Sequence, residues 1–248
     1  MLVLSIFPGI DLLGMAFEEA GFCVVRGPDL LWGGDVRRFH PPAGRFDGVI
    51  GGSPCQDFSS ARRDPATGNG LEMVGEFVRV VAEAAPDWWL LENVPGVPDV
   101  EVPGYSWQRL DVRASDYGSP QRRLRHVQFG SRSGAVLVLP ERNSAIEETA
   151  PAVMASDSVT PWEVFAARQG LPAGYDLPFT VTAKRRAVGN GVPLPLGRAL
   201  ADAVANMVPA ESVTLCGCGC GRVVTPPARF GGSACRMRML RRRRNGSS

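Results

Sequence analysis

The chain contains 248 residues, of which 44% are hydrophobic and 21% are charged, and its formal net charge is +2. This length suits one globular domain with room for a small appendage, and the low net charge excludes a disordered chain. No apolar run approaches the roughly 20 residues that a membrane span needs, so we expect no membrane contact. Six cysteines are too few and too unevenly spread for a disulfide scaffold, so we expect a cytoplasmic protein.

The charge is unevenly distributed along the chain. Residues 222–248 contain eight Arg and no Asp or Glu, whereas the other 19 basic and 25 acidic residues give the first 221 positions a charge of −6. An acidic body with a basic tail favours a polyanionic partner, although a solvated chain end has the same composition.

Hydrophobic periodicity predicts strands and helices in alternation. The predicted strands are 2–7, 22–25, 46–50, 88–91 and 123–129, with a short one at 136–139. The predicted helices are 11–20, 75–85, 162–169 and 196–208. This alternation indicates an α/β fold in which a parallel sheet is covered on both sides. Cys23 falls within an apolar strand, where we expect it to be buried.

Three short polar segments follow predicted apolar strands. They are Phe7-Pro8-Gly9-Ile10, Pro54-Cys55-Gln56 and Glu92-Asn93-Val94. In open α/β sheets the functional groups gather beyond the carboxyl ends of the strands, so these segments are expected to meet at one site.

Two residues in these segments have alternative interpretations. Cys55, in a tight Gly-Pro turn, is either an accessible nucleophile or a small buried side chain. Glu92, at the rim of the apolar run 88–91, is either a proton donor whose pKa is raised by burial or a cap or salt-bridge carboxylate.

Gln121, Arg123 and Arg125 recur with a period of two, which places them on one face of the strand 123–129. A buried arginine on such a face needs an anionic or carbonyl partner. The other interpretation is a face exposed to solvent.

Together, these residues resemble the ordered motifs of the DNA cytosine-5 methyltransferases. The similar segments are Phe7–Ile10, Pro54-Cys55-Gln56, Glu92-Asn93-Val94, Gln121-x-Arg123-x-Arg125 and Gly189-Asn190-Gly191-Val192-Pro193. They occur in the family's order, and three of them lie at predicted strand ends.

The resemblance implies a Rossmann-like methyltransferase fold over residues 1–210 that uses S-adenosylmethionine. Cys55 would add to carbon 6 of a cytosine flipped out of duplex DNA, and Glu92 would hold or protonate N3. Arg125, with Arg123, would hold the O2 side and help to keep the thiolate ionised. On DNA, the protein would be associated with the nucleoid.

The resemblance also implies binding residues. Those expected at the cofactor are Phe7, Gly9, Ile10, Asp29, Asp35, Pro54, Asn190 and Gly191. The cofactor carboxylate is expected near the backbone of residues 7–9 and the N-terminus of the following helix. Those expected at DNA are Gln56, Arg62, Arg63, Gln121, Arg241, Arg242, Arg243 and Arg244.

The chain departs from the family in two regions. Pro8, Asp11 and Leu12 stand where the family's first motif usually has small residues, and the target-recognition insert, at residues 131–161, is short. A short insert leaves open the same chemistry on RNA, as in the tRNA-methylating branch. A non-catalytic nucleic-acid-binding relative is a further alternative, against which the intact Cys55, Glu92 and Arg125 argue.

The tail, residues 211–248, is rich in Cys and Arg. Cys216, Cys218, Cys220 and Cys235 could bind a structural zinc ion, although the spacing Cys-x-Cys-x-Cys is unusual and reduced thiols are the alternative. The arginine run is expected to bind phosphates without reading sequence.

Overall fold

The computed structural model describes residues 1–58, 65–140, 150–218 and 223–245. Its strands are β1 (Leu2–Ile6), β2 (Cys23–Arg26), β3 (Gly48–Gly51), β4 (Trp88–Asn93), β5 (Ser106–Arg113), β6 (Gln121–Arg122), β7 (Leu124–Ser131), β8 (Ala135–Val136), β9 (Ala150–Pro151) and β10 (Val208–Pro209). Its α-helices are α1 (Leu12–Glu19), α2 (Asn69–Ala84), α3 (Trp162–Arg168), α4 (Val181–Asn190), α5 (Leu194–Ala205) and α6 (Ser233–Asn245). Within these ranges, no helix has the length and apolar character that crossing a membrane requires.

A six-stranded sheet in the order β2-β1-β3-β4-β7-β5 forms the centre of the fold. The pairs among β1, β2, β3 and β4 are parallel, as the alternation of elements predicts. The expectation of a wholly parallel sheet is wrong, because β7 is antiparallel to both β4 and β5. Only residues 114–123 join β5 to β7, and a parallel crossover needs a dozen residues or more.

Two tryptophans in β4 anchor the core on opposite faces of the sheet. Trp88 packs with Phe17 and Phe129 on one face, and Trp89 packs with Phe77 on the other. Each indole lies over a glycine of a neighbouring strand. A Cβ on Gly48 would lie 2.2 Å from the ring of Trp88, and one on Gly130 would lie 2.3 Å from the ring of Trp89. These glycines therefore make room for the two largest side chains of the core.

Several element boundaries differ from the prediction. Helix α2 begins six residues before 75, after Gly68 at φ 85°, and buries Gly70, Met73 and Val74 in addition to the predicted stripe. Cys23 is exposed, because β2 is the edge strand of the sheet, so the expectation that it is buried is wrong. Strand β5 and helices α4 and α6 have no predicted counterpart.

The segment predicted as the recognition insert is small in the described chain. Within 131–161, β8 pairs with β10 and β9 pairs with β6. Residues 141–149 lie outside the described ranges. Strand β9 places the following Val153 beside Gln121, whose side-chain oxygen accepts a hydrogen bond from the Val153 N–H at 2.9 Å. The insert is thereby attached to β6, at the start of the Gln-x-Arg-x-Arg segment.

Candidate active site and cofactor pocket

A cavity of about 620 Å³ lies at the carboxyl ends of β1, β3 and β4, which is the edge that the strand-end motifs predict. Twelve of the predicted site residues line it: Phe7, Gly9, Ile10, Asp29, Asp35, Pro54, Cys55, Gln56, Glu92, Arg125, Asn190 and Gly191. Its volume is within the usual range for a small-ligand pocket. The segments therefore converge on one site, although they are up to about 180 residues apart in sequence.

Cys55, Glu92 and Arg125 form the charged end of this cavity. Cys55 follows β3 in a turn, Glu92 lies in β4, and Arg125 lies in the neighbouring β7. The Arg125 Nε lies 2.8 Å from Glu92 Oε1, and the side chains are 13% and 7% exposed. The antiparallel pairing of β4 with β7 brings these two residues together, because it sets Glu92 opposite Val127 and therefore close to Arg125.

Burial governs the proton affinity of both acidic groups. It raises the pKa of Glu92 above the ordinary carboxyl value, while the charges of Arg125 and Arg123 act in the opposite direction. Burial also raises the pKa of the Cys55 thiol, and the Glu92 carboxylate raises it further, whereas Arg125 and Arg123 lower it. Burial and the Glu92 charge are the two effects that keep the Cys55 thiol protonated, and a proton on Glu92 would remove the second. The two groups are therefore electrostatically coupled.

Arg123 does not line the cavity, in contrast to the role that the resemblance implies for it. Its guanidinium donates to the carbonyl oxygens of Val153 (2.8 Å), Gly189 (2.9 Å) and Gly191 (3.2 Å). Burial lowers the pKa of Arg123 to about 9, so the group still carries its charge at neutral pH. Arg123 thus holds the backbone around Asn190 and contributes to the cavity through its charge alone.

Gln121, which is expected at DNA, is fully buried in this structure. Its amide nitrogen donates to the Arg168 carbonyl oxygen (2.6 Å) and to Gln169 Oε1 (2.8 Å). Gln169 is also fully buried and donates to the carbonyl oxygen of Val188 at 2.5 Å. We call Gln121, Arg123 and Gln169 the buried polar hub. Sequence reasoning missed Gln169, which directly follows α3.

The loop after β1 has a strained backbone that opens it to the cavity. Phe7, Gly9 and Asp11 have φ values of 55°, 54° and 61°. No atom lies within 4 Å of the position that a Cβ on Gly9 would take, but the Gly9 N–H donates to Asp29 and its carbonyl oxygen accepts from the Trp32 indole N–H. An aspartate tolerates the left-handed conformation because its side chain bonds locally, and Asp11 accepts from the Gly14 N–H at 3.0 Å. Asp11 therefore caps α1.

Two carboxylates line the side of the cavity towards β2. Asp29 caps the short turn at Leu30–Trp32 and accepts from the Gly9 N–H at 2.9 Å. Asp35 accepts hydrogen bonds from the Arg37 guanidinium, which lowers the pKa of Asp35. Carboxylates in these positions are suitable acceptors for ribose hydroxyls and for the amino group of an adenine. This acceptor set fits the nucleoside part of S-adenosylmethionine.

Helix α4 supplies a wall of the cavity of which the sequence predicted only Asn190, at the end of the helix. Ala183, Arg186, Ala187 and Asn190 line it. Their spacing of three, four and seven residues from Ala183 places them on one helix face. The signal that could have predicted this helix face is the spacing of four residues between Ala183 and Ala187, three residues before Asn190.

The remaining predicted sites are only partly described. Cys216, Cys218 and Cys235 are buried, and their sulfur atoms lie within 4.8 Å of one another. Arg62, Arg63 and Cys220 lie outside the described residues, as do the side chains of Arg242, Arg243 and Arg244. Arg241 lies in α6 and is exposed.

Comparison with known sequences finds a family model that matches part of the chain. Residues 34–155 match the family model for C-5 cytosine-specific DNA methylases. The type II methylase M.HgiDII of Herpetosiphon aurantiacus is 33% identical over 105 residues, which cover 37% of this chain and 30% of the relative. The type II methyltransferase M.XorII of Xanthomonas oryzae is 28% identical over 174 residues, which cover 54% of this chain and 41% of the relative. The chain thus spans less than half the length of these relatives.

Solved structures share the fold at lower sequence identity. A prophage-encoded protein of E. coli, assigned as a DNA modification methyltransferase, matches with a TM-score of 0.63 and 16% identity over 83% of this chain and 99% of its own. A mutant of Spodoptera frugiperda DNMT2 matches with a TM-score of 0.58 and 15% identity over 82% and 99%. The expected Rossmann-like methyltransferase fold is confirmed. The resemblance seen in the motifs is confirmed as well by the match of residues 34–155 to the model for C-5 cytosine-specific DNA methylases.

Proposed function

We propose that this protein transfers a methyl group to carbon 5 of cytosine in DNA. The observation that carries the proposal is the convergence of Cys55, Glu92 and Arg125 in one cavity, with Arg125 Nε 2.8 Å from Glu92 Oε1. S-adenosylmethionine, when bound, would supply the methyl group as a sulfonium. The residues expected to bind this cofactor follow β1 and β2 or lie in α4, and they line the same cavity. The methyl donor and the nucleophile would therefore face one space.

The first step would activate the cytosine ring. Carbon 5 is too electron-poor to take a methyl group unaided, so the Cys55 thiolate adds to carbon 6 and forms an S–C6 bond. The electron pair of the C5–C6 double bond then becomes available at carbon 5. Glu92 would hold the proton that N3 gains as the thiolate adds, which keeps negative charge off the ring. The raised pKa of Glu92 suits this role.

The second step would complete the substitution. Carbon 5 would take the methyl group from the donor sulfur, whose S–CH3 bond breaks to leave a neutral thioether, and a base would then remove the proton from carbon 5. The S–C6 bond would break to return its electron pair to Cys55, and N3 would return its proton to Glu92. Arg125 would keep the Glu92 carboxyl oriented and hold the O2 side of the ring. The target base must leave the duplex stack to enter the cavity, so DNA with a flipped cytosine is the proposed partner.

The tail would contribute a metal site and phosphate contacts. Tetrahedral zinc with Zn–S distances of about 2.3 Å places its sulfurs about 3.8 Å apart, and the three described sulfurs fall within a compatible 4.8 Å. The Gly231 N–H donates to the Cys216 sulfur at 3.1 Å, as backbone amides do to metal-bound thiolates. We propose zinc bound by these three cysteines and Cys220. The arginines of α6 would then contact phosphates.

A covalent trap tests the proposed chemistry. DNA containing 5-fluorocytosine, incubated with S-adenosylmethionine, should become linked to the protein, because fluorine cannot leave carbon 5 as a proton does. Peptide mapping should place the link at Cys55. Cys55→Ser should abolish it, and the control Cys23→Ser, which changes an exposed cysteine, should leave it intact.

The same experiment separates the alternatives. An RNA of the same sequence that traps instead of DNA would show the tRNA-type activity. No trap on either nucleic acid by a protein that binds both DNA and cofactor would show a non-catalytic relative. For the tail, metal analysis should find about one zinc per chain, lost in Cys235→Ser but kept in Cys23→Ser.

A further inference from the structure

The site expected for the cofactor carboxylate, at the N-terminus of α1, is already occupied by acidic side chains. Asp11 accepts from the Gly14 N–H at 3.0 Å and lies 3.1 Å from the Arg26 guanidinium. Asp29 accepts from the Gly9 N–H at 2.9 Å. A third carboxylate placed here would compete for these donors and meet like charge. The expected contact with Gly9 and the helix N-terminus is therefore disfavoured in this chain.

Helix α4 presents a cation to the same cavity. Arg186 lies on the face that lines it, together with Ala187 and Asn190. The preceding cationic side chains point elsewhere. Lys184 pairs with Asp176, and Arg185 donates to the carbonyl oxygens of Ser158 and Thr160. Arg186 is exposed, and within the described chain it forms no hydrogen bond or ion pair.

The other two cations that line the cavity are already paired. Arg37 bonds to Asp35 at 2.7 Å and to Glu72 at 3.3 Å. Arg125 pairs with Glu92. Among the described residues that line the cavity, Arg186 is thus the one cation without a carboxylate partner. Its neighbours on that face, Ala183 and Ala187, leave room beside its guanidinium.

We propose that Arg186 binds the carboxylate of the methionine moiety of S-adenosylmethionine. This inference rests on the proposed function, because it names a residue for the cofactor of that reaction. A guanidinium presents two parallel N–H donors to a carboxylate, which gives direction as well as charge. The anion-binding group of this pocket would then lie on α4 in place of the α1 N-terminus, where Asp11 stands.

Binding measurements can test this without turnover. Calorimetry would compare S-adenosylhomocysteine, which keeps the carboxylate, with its decarboxylated analogue, which keeps the amine and the nucleoside. Arg186→Gln should weaken binding of S-adenosylhomocysteine about 10- to 100-fold, the range for a hydrogen bond to a charged group. Binding of the decarboxylated analogue should change less than about twofold. Arg113→Gln, which changes an exposed arginine on the edge strand β5, is the matched control and should change neither affinity.

Three results would overturn the inference. An equal loss for both ligands would mean that Arg186 does not read the carboxylate. Unchanged affinity for S-adenosylhomocysteine with weakened DNA binding would mean that Arg186 contacts phosphate. A wild-type protein that binds neither ligand would refute the proposed function itself, and this result is distinct from the other two because it needs no variant.

Discussion

The ion pair between Arg125 and Glu92 can be tested through stability alone. At 2.8 Å and an effective dielectric constant of about 20, the attraction between the two charges is roughly 6 kcal/mol before desolvation is counted. Replacing Arg125 with Met leaves the carboxylate of Glu92 buried without its partner, which costs about 3–5 kcal/mol. Domains of this size unfold at about 5–15 kcal/mol, so the variant should remain folded with a much lower urea midpoint.

A double-mutant cycle isolates the pair. Glu92→Gln removes the charge but keeps the shape, so the double variant Arg125→Met/Glu92→Gln contains no unpaired charge. We expect it to be more stable than Arg125→Met alone, with a coupling free energy of about 2 kcal/mol or more from urea denaturation at pH 7.5. If the changes in the free energy of unfolding of the two single variants simply add, the ion pair does not stabilise the site, and the argument from its geometry fails.

The pH dependence gives a second check on the same variant. Burial raises the pKa of Glu92 in the folded protein, and removing Arg125 raises it further, since the charge of Arg125 lowers it. When the pKa of a carboxyl group is higher in the folded than in the unfolded protein, its protonated form stabilises the fold. This contribution to the free energy of unfolding is complete below the ordinary carboxyl pKa and is lost as the pH rises through the pKa of the folded protein. Arg125→Met should therefore lose less stability relative to wild type at pH 5 than at pH 8. A pH-independent difference would contradict a buried carboxylate.

Three further predictions concern catalysis, the hub and the tail. Glu92→Gln should lower turnover by roughly 10²- to 10⁴-fold, with little change in cofactor affinity measured by calorimetry; near-normal turnover would make the carboxylate structural. Gln169→Leu should weaken binding of S-adenosylhomocysteine, because it removes the side-chain hydrogen bond to the Val188 carbonyl oxygen beside Asn190, which then retains the hydrogen bond from the Gly191 N–H. Gln169→Glu, whose carboxylate cannot donate this hydrogen bond, should bind S-adenosylhomocysteine more weakly than Gln169→Asn, and unchanged binding would limit the hub to folding. Deleting residues 211–248 should weaken DNA binding equally for all sequences and flatten its salt dependence, and a changed methylation sequence would assign base recognition to the tail.

The position of the cavity could be predicted because it depends on a local rule. A polar segment that directly follows an apolar run lies at the end of a strand, and parallel strands place such ends on one edge. Cys55 and Glu92 satisfy this rule, and both line the cavity. The antiparallel β7 obeys a different geometry, yet it still delivers Arg125 to the same edge, because the strand begins where β4 ends.

The roles of Gln121 and Arg123 could not be predicted in the same way. A period of two shows that side chains share a face, but it does not tell what covers that face. Arg123 bonds to carbonyl oxygens 30, 66 and 68 residues away, and Gln121 bonds to Gln169, 48 residues away. These partners are set by the packing of α3 and α4 against each other and against α1, which no local pattern contains. Of the two partners expected for a buried arginine, an anion or a carbonyl oxygen, Arg123 has carbonyl oxygens.

The buried polar hub explains how two segments that are distant in sequence keep fixed positions around one cavity. Gly189 and Gly191 flank Asn190. A Cβ on Gly189 would lie 2.8 Å from the Ala155 backbone nitrogen, and one on Gly191 would lie 2.8 Å from Leu12 Cδ1, so the Leu12 side chain would have to move. The two glycines have no side chains to pack, so their carbonyl oxygens provide an attachment in addition to the buried Val188 and Val192 on either side. Arg123 binds both glycine carbonyls and is separated from Arg125 by a single residue. The wall expected at the cofactor and the strand that carries the active-site arginine are thereby fixed to each other by hydrogen bonds, which are directional where packing is not.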